Sequence, residues 1–164
     1  MVSFRSALVS DARNLSHLAF ESEQYLGYDP DYMRTFSDYY NVTEAFVRQH
    51  LVYIMEETGK MLGFWGLCET ETIWELEFFY ISPEYIGKGY GRNLWNNLIA
   101  ECHNRGIVEF QLVTSPQSVQ FYEKMGAEII GQVESLIVKG RMIPQLKFSL
   151  LLRGMLQNDA KCPS

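Results

Sequence analysis

Hydrophobic and polar positions change period several times along this chain, and each change marks an element. Leu15, Leu18 and Ala19 recur at helical spacing behind Asp11, a residue suited to a helix start, after a strand-like opening over Phe4 to Val9. An aromatic stretch follows, Tyr25, Tyr28, Tyr32, Phe36, Tyr39 and Tyr40. Within it Asp29-Pro30-Asp31 predicts a second helix, and Thr43-Glu44-Ala45-Phe46 opens a third. The period then falls to two. Leu51 to Met55 and Met61 to Cys68 flank Glu56-Glu57-Thr58-Gly59-Lys60 as a hairpin, and Ile73 to Ile81 adds a third strand before Ser82-Pro83. Helical spacing returns at Leu94, Trp95, Leu98, Ile99 and Cys102, with Asn96, Asn97, Glu101 and Asn104 on the other face and Gly106 as the C-cap. Val108 to Val113 is expected to lie parallel to Ile73–Ile81, because a helical crossover joins them. Ser115-Pro116 opens a last helix through Val119, Phe121, Tyr122 and Met125, stopped at Gly126. Strands over Glu128 to Val133 and Met142 to Leu151 then meet across Lys139-Gly140-Arg141. The class is α/β in the α+β sense: a mostly antiparallel sheet with one parallel pair.

Composition narrows what such a domain can serve. The chain has 164 residues, enough for one domain, read here as residues 1–156 with a flexible polar tail over 157–164. A net charge of −6 argues against a general nucleic-acid or anionic-membrane binder, so an anionic ligand must be captured locally. Cys68, Cys102 and Cys162 are widely spaced and odd in number, which favours a reducing compartment and no structural metal. With no signal-peptide pattern and no long apolar run, the expected location is the cytoplasm. Ten tyrosines and ten phenylalanines are a surplus that suits either a pocket or a homodimer interface.

The candidate chemistry begins at Ile86-Gly87-Lys88-Gly89-Tyr90-Gly91-Arg92, alternate glycines at a strand-to-helix junction. Glycines there let successive backbone N–H groups face one concavity, and the following helix adds unpaired amides and the positive end of its dipole, so the loop reads as a pyrophosphate cradle. A dinucleotide fingerprint fits less well, because the third glycine arrives one residue early and a hairpin precedes it, although Glu109 sits near the ribose-binding offset. The Walker pattern fails for want of a closing Gly-Lys-Ser/Thr.

Phe79-Tyr80-Ile81-Ser82-Pro83-Glu84-Tyr85 leading into that loop resembles the acetyl-CoA signature of the GCN5-related N-acetyltransferase (GNAT) superfamily. Ser118-Val119-Gln120-Phe121-Tyr122-Glu123-Lys124-Met125-Gly126-Ala127 resembles the family's helix-borne tyrosine motif. The resemblance implies an acyl-CoA N-acyltransferase fold whose sheet is splayed where two parallel strands separate, with coenzyme A in the opening and acetyl-CoA as donor. It implies that Phe79, Tyr80 and Ile81 pair their backbone with the pantetheine arm. Ile86 and Gly87 to Arg92, including Lys88, Gly89, Tyr90 and Gly91, would hold the pyrophosphate, with Ser115 and Ser118 also near the cofactor. Ile86 stands where the family usually has Arg or Gln, its backbone N–H still being counted as a phosphate donor. Ser115 stands where the family commonly has Asn, a change costing a cofactor hydrogen bond of ~1 kcal/mol.

Transfer of acetyl to an amine needs a base, an oriented thioester, a partner for the oxyanion and a proton for the thiolate. Strict alternation in Glu75-Leu76-Glu77-Phe78-Phe79-Tyr80-Ile81 puts Glu75, Glu77, Phe79 and Ile81 on one face and Leu76, Phe78 and Tyr80 on the other. By resemblance Glu75 is the first candidate base and Glu77 the alternative, each also readable as a solvated or paired carboxylate. Tyr122 matches the tyrosine that protonates the thiolate, and a backbone N–H near Ile81 would meet the oxyanion. Tyr28, Tyr32 and Arg141 are candidate acceptor contacts, although the tyrosines could equally cap the core and Gly140-Arg141 could serve only a turn. The expected partner is an amine-bearing small molecule or peptide, with no nucleic acid and no membrane. The rival reading is an acyl-CoA sensor that binds without turnover.

Overall fold

The computed structural model describes residues 1–151, so the far end of the expected domain, the tail over 157–164 and Cys162 lie outside the described residues. In chain order the elements are β1 (Ser3–Ser6), α1 (Ala12–Gln24), α2 (Pro30–Tyr39), α3 (Glu44–Gln49), β2 (Leu51–Glu57), β3 (Lys60–Glu69), β4 (Trp74–Ile81), α4 (Tyr90–Arg105), β5 (Glu109–Val113), α5 (Val119–Lys124), β6 (Glu128–Glu134) and β7 (Met142–Ser149). The strands form one sheet in the order β1-β2-β3-β4-β5-β7-β6, antiparallel except for the parallel pair β4 and β5. Thr58 and Gly59 both hold positive φ, 49° and 78°, the mirrored two-residue turn that matches strand twist between β2 and β3.

The sheet buries both faces. On one, α1 and α3 close over Leu15, Ala19, Val47, Ile54, Phe64 and Phe78. On the other, α4 and α5 close over Trp65, Leu94, Trp95, Phe110, Tyr122 and Phe148. Local chemistry fixes the helix ends. Asp29 accepts the Tyr32 N–H at 2.8 Å and Thr43 the Phe46 N–H at 3.0 Å, while Gly106 closes α4 in the left-handed region. Asp11 departs from its expected role. It caps no amide of α1 but accepts the Leu8 N–H at 2.7 Å and pairs with Arg5 at 2.8 Å, which ends β1 at Ser6 and turns the chain early. Asn97, expected on the solvent face of α4, accepts the Trp65 indole N–H at 2.8 Å.

Two features of β4 position the site. Within the parallel ladder the registered pair is Glu75 with Gln111, so from Leu76 onward β4 runs away from β5 and the sheet opens. The pairing of β4 with β3 also slips: Gly66 faces Phe78 and Leu67 faces Leu76, leaving Glu77 as an extra residue. The bulge overturns strict alternation. Leu76 packs on the α4 side with Phe79 and Ile81, whereas Phe78 and Tyr80 pack on the other. Glu75 and Glu77 remain together, but not on the face of Phe79 and Ile81: their carboxylate oxygens and the Cys68 sulfur lie within 4.8 Å of one another.

Candidate active site

A cavity of about 660 Å³ opens where β4 and β5 part. Its inner end is walled by the chain from Phe79 to Ile81, by Ile86, Gly87, Gly89, Gly91 and Arg92, and by Ser115, Gln117, Ser118 and Phe121. Gly87 and Gly89 hold φ of 80° and 89°, where an L side chain is strained, and a Cβ on either would meet nothing within 4 Å. The loop therefore faces open space. Gly89 is also the N-cap of α4 and offers no side-chain acceptor, so the first amides of a sixteen-residue helix stay uncapped by any side chain. Uncapped amides, an adjacent Arg92 and an unpaired β4 edge suit a pyrophosphate on an extended arm, which fits coenzyme A.

Not every expected cofactor residue joins this wall. Ile86 lines it, but its N–H also donates to the Pro83 carbonyl at 3.3 Å, closing a short turn. Lys88 is exposed, with its ammonium 6.0 Å from the Tyr85 ring centroid. Tyr90 meets Tyr85 edge to face at 5.6 Å and donates to Glu57 at 3.5 Å. Neither side chain lines the cavity. Ser115 and Ser118 do, their hydroxyls 3.5 Å apart.

Glu75, Glu77 and Tyr122 line the same cavity. Burial, reinforced by Glu75, pushes the Glu77 carboxyl above the usual range. The Cys68 thiol beside them is pushed up to about 11 by burial and then by Glu77 and Glu75, so it stays protonated at neutral pH. Tyr122, 8% exposed, is set edge-on to Phe79 and Trp95 at 5.9 and 6.0 Å. Burial above all, with the Glu23 charge second, raises its phenol further and keeps it protonated. That hydroxyl has no hydrogen-bond partner among the described residues.

The outer wall comes from α1, α2 and the β6–β7 connection. Tyr28 and Tyr32 stack at 3.8 Å, the Tyr32 hydroxyl donates to Glu23 at 2.9 Å, and the Arg141 guanidinium lies 5.7 Å from the Tyr28 ring centroid. Tyr40 joins them, its phenol pushed up to about 12 by burial and then by Glu77, Glu23 and Glu75. Tyr39, 56% exposed, stands outside. Sequence reasoning missed Glu23. A signal was present: Glu23 follows Ala19 by four residues and continues the stripe Leu15, Leu18, Ala19, Ser22, so a carboxylate sits on the buried face of α1. Burial pushes its carboxyl up, against the Tyr32 hydrogen bond and then the charge of Arg141.

Comparison with known proteins agrees with this geometry. The model of the acetyltransferase (GNAT) family matches residues 12–127. A curated relative, an uncharacterized N-acetyltransferase of Methanocaldococcus jannaschii, is 27% identical over a match covering 69% of this chain and 58% of that protein, so this chain spans less than two thirds of its length. Among solved structures, the PaiA N-acetyltransferase of Thermoplasma acidophilum in complex with coenzyme A superposes with a TM-score of 0.75 at 20% identity, covering 91% of this chain and 99% of that one. YncA of Salmonella typhimurium, solved with its cofactor acetyl-CoA, gives 0.66 at 20% identity over 92% and 94% of the two chains. These similarities show the fold, the mixed sheet opened at one parallel pair.

Proposed function

The chain belongs to the acetyltransferase (GNAT) family, and on that premise we propose that it transfers acetyl from acetyl-CoA directly to a primary amine of a small molecule or peptide. One observation carries the proposal: a single cavity is lined by the glycine loop, by Tyr122 and by Glu75 and Glu77. The free Cys68 and Cys102 have no role in the chemistry, and the reaction is assigned to a reducing, cytoplasmic setting. Within the described residues no helix is long and apolar enough to cross a membrane.

Acetyl-CoA supplies an activated thioester carbonyl. The backbone amides of Gly89 to Arg92 hold its pyrophosphate, and the open edge of Phe79 to Ile81 aligns the arm toward Glu77. Glu77 accepts the proton that the amine sheds as its nitrogen bonds to the carbonyl carbon. A carboxylate raised by burial is the better base, which moves the choice from Glu75 toward Glu77. Tyr122 gives its phenolic proton to the sulfur as the carbon–sulfur bond breaks, and recovers one from solvent. Product is the N-acetyl amine and the free thiol.

Incubation with acetyl-CoA and a panel of amines, following thiol release against a no-acceptor control, tests this reading. Acceptor-dependent release that falls in Tyr122→Phe and Glu77→Gln supports it. Tight coenzyme A binding by calorimetry with no release for any amine favours the sensor.

A further inference from the structure

We propose that the acceptor carries a carboxylate beside its amine, and that Arg141 is the residue that reads it. This rests on the acetyltransferase reading above and names the acceptor class for the same site.

Charge is unevenly partnered among the residues that line the cavity. Glu75 and Glu77 face each other and repel, a pair that an ammonium group relieves. At the outer wall the carboxylate, Glu23, is already engaged by the Tyr32 hydroxyl at 2.9 Å. Arg141 differs. It lines the cavity half-buried over the Tyr28 ring, yet makes no ion pair with any carboxylate among the described residues. The ring contact holds the guanidinium near the cavity without using its N–H groups, and five donors in a planar fork match a carboxylate bidentately. Glu23 feels the Arg141 charge without pairing with it, so the guanidinium N–H groups remain open to an anionic ligand.

Arg141 is also well supported in position. Its own backbone N–H donates to Val138 at 3.1 Å and its carbonyl accepts from Ser135 at 2.7 Å, while Gly140 N–H donates to Glu134 at 2.7 Å. The β6–β7 connection is therefore a structured turn that presents Arg141 to the cavity. The outer carboxylate and the aromatic wall would by themselves suit a dication, but a second ammonium placed there would meet the Arg141 charge. An amine with a carboxylate, as in amino acids and short peptides, satisfies both ends.

The test is acetyl transfer to matched acceptors: amino acids, their methyl esters, and the amines and diamines left when the carboxylate is removed. The expected result is that the wild-type protein favours the free acid in kcat/KM, by about 10- to 100-fold for a charge-assisted pair. In Arg141→Gln that ratio falls toward one, chiefly through KM, and Arg141→Lys restores part of it. Calorimetry with coenzyme A checks that the cofactor site survives in each variant. A wild-type preference for esters or diamines overturns the inference while leaving the transferase intact, as does a ratio that Arg141→Gln leaves unchanged. No transfer to any amine overturns the acetyltransferase reading itself, and the acceptor class with it.

Discussion

At the scale of single residues, two protonation states define the account. Tyr122 is kept neutral by burial and Glu77 is pushed upward by burial and by Glu75, so a candidate proton donor and a candidate acceptor line one cavity. Tyr122→Phe removes the donor and keeps the ring, and kcat should fall about 100-fold or more while coenzyme A affinity by calorimetry is retained. Glu77 also links activity to pH. The rate should rise with pH as its carboxyl ionises, and the acidic limb of the kcat/KM profile should sit above the ordinary carboxylate range and vanish in Glu77→Gln. Stability runs the other way. A carboxyl whose native pKa is raised adds stability that is complete below the unfolded value and lost as pH rises through the native value. Glu77→Gln should therefore resist urea better than wild type at neutral pH, with the advantage disappearing near about pH 4. An advantage independent of pH would place Glu77 outside the buried cluster.

At the scale of elements, the site depends on how β4 lies against β3 and how α2 is held. Gly63 allows that close approach, since a Cβ there would sit 2.7 Å from the Tyr80 carbonyl oxygen and 2.8 Å from the Ile81 side chain. Gly63→Ala should destabilise by about 1–3 kcal/mol in a denaturant melt, because backbone must shift to admit the methyl. Asp29→Ala should cost ~1 kcal/mol by uncapping α2, and it should raise the acceptor KM because α2 carries Tyr32. Most elements were legible locally: period-two runs for β2 to β4, the cap at Asp29, the stop at Gly106. Three things were not. The bulge at Glu77 arises from pairing with β3, and no pattern within β4 marks it. The turn that takes the Ile86 amide depends on a backbone bond to Pro83. The meeting of Glu23, Tyr32 and Arg141 joins the first two helices to the last connection, and only the misplaced carboxylate on α1 hinted at it.

At the scale of the whole molecule, the candidate site follows from an interruption in the sheet. Two apolar cores grip its faces, one centred on Phe64 and Phe78, the other on Trp65, Trp95, Phe110 and Phe148. β4 contributes to both cores and β5 to the second, and the two strands part beyond Glu75 and Gln111. The order of strands and helices could be read from the sequence, and so could the parallel pair, because a helix joins its two strands. The depth of the opening could not, since it is set by twist and by how α4 and α5 pack. With a net charge of −6, the proposed binding of an anionic cofactor falls to local geometry, namely the loop at Gly87 to Gly91 and the first turn of α4. The most direct test is calorimetric titration of wild-type protein and Gly89→Ala with coenzyme A, with NADH and ATP as competitors for the same cradle. The account predicts one coenzyme A per chain, preferred over both nucleotides, and weakened about 10-fold or more when a Cβ is forced onto the left-handed Gly89. Equal binding of NADH or ATP, or coenzyme A affinity untouched by Gly89→Ala in a folded variant, would contradict it.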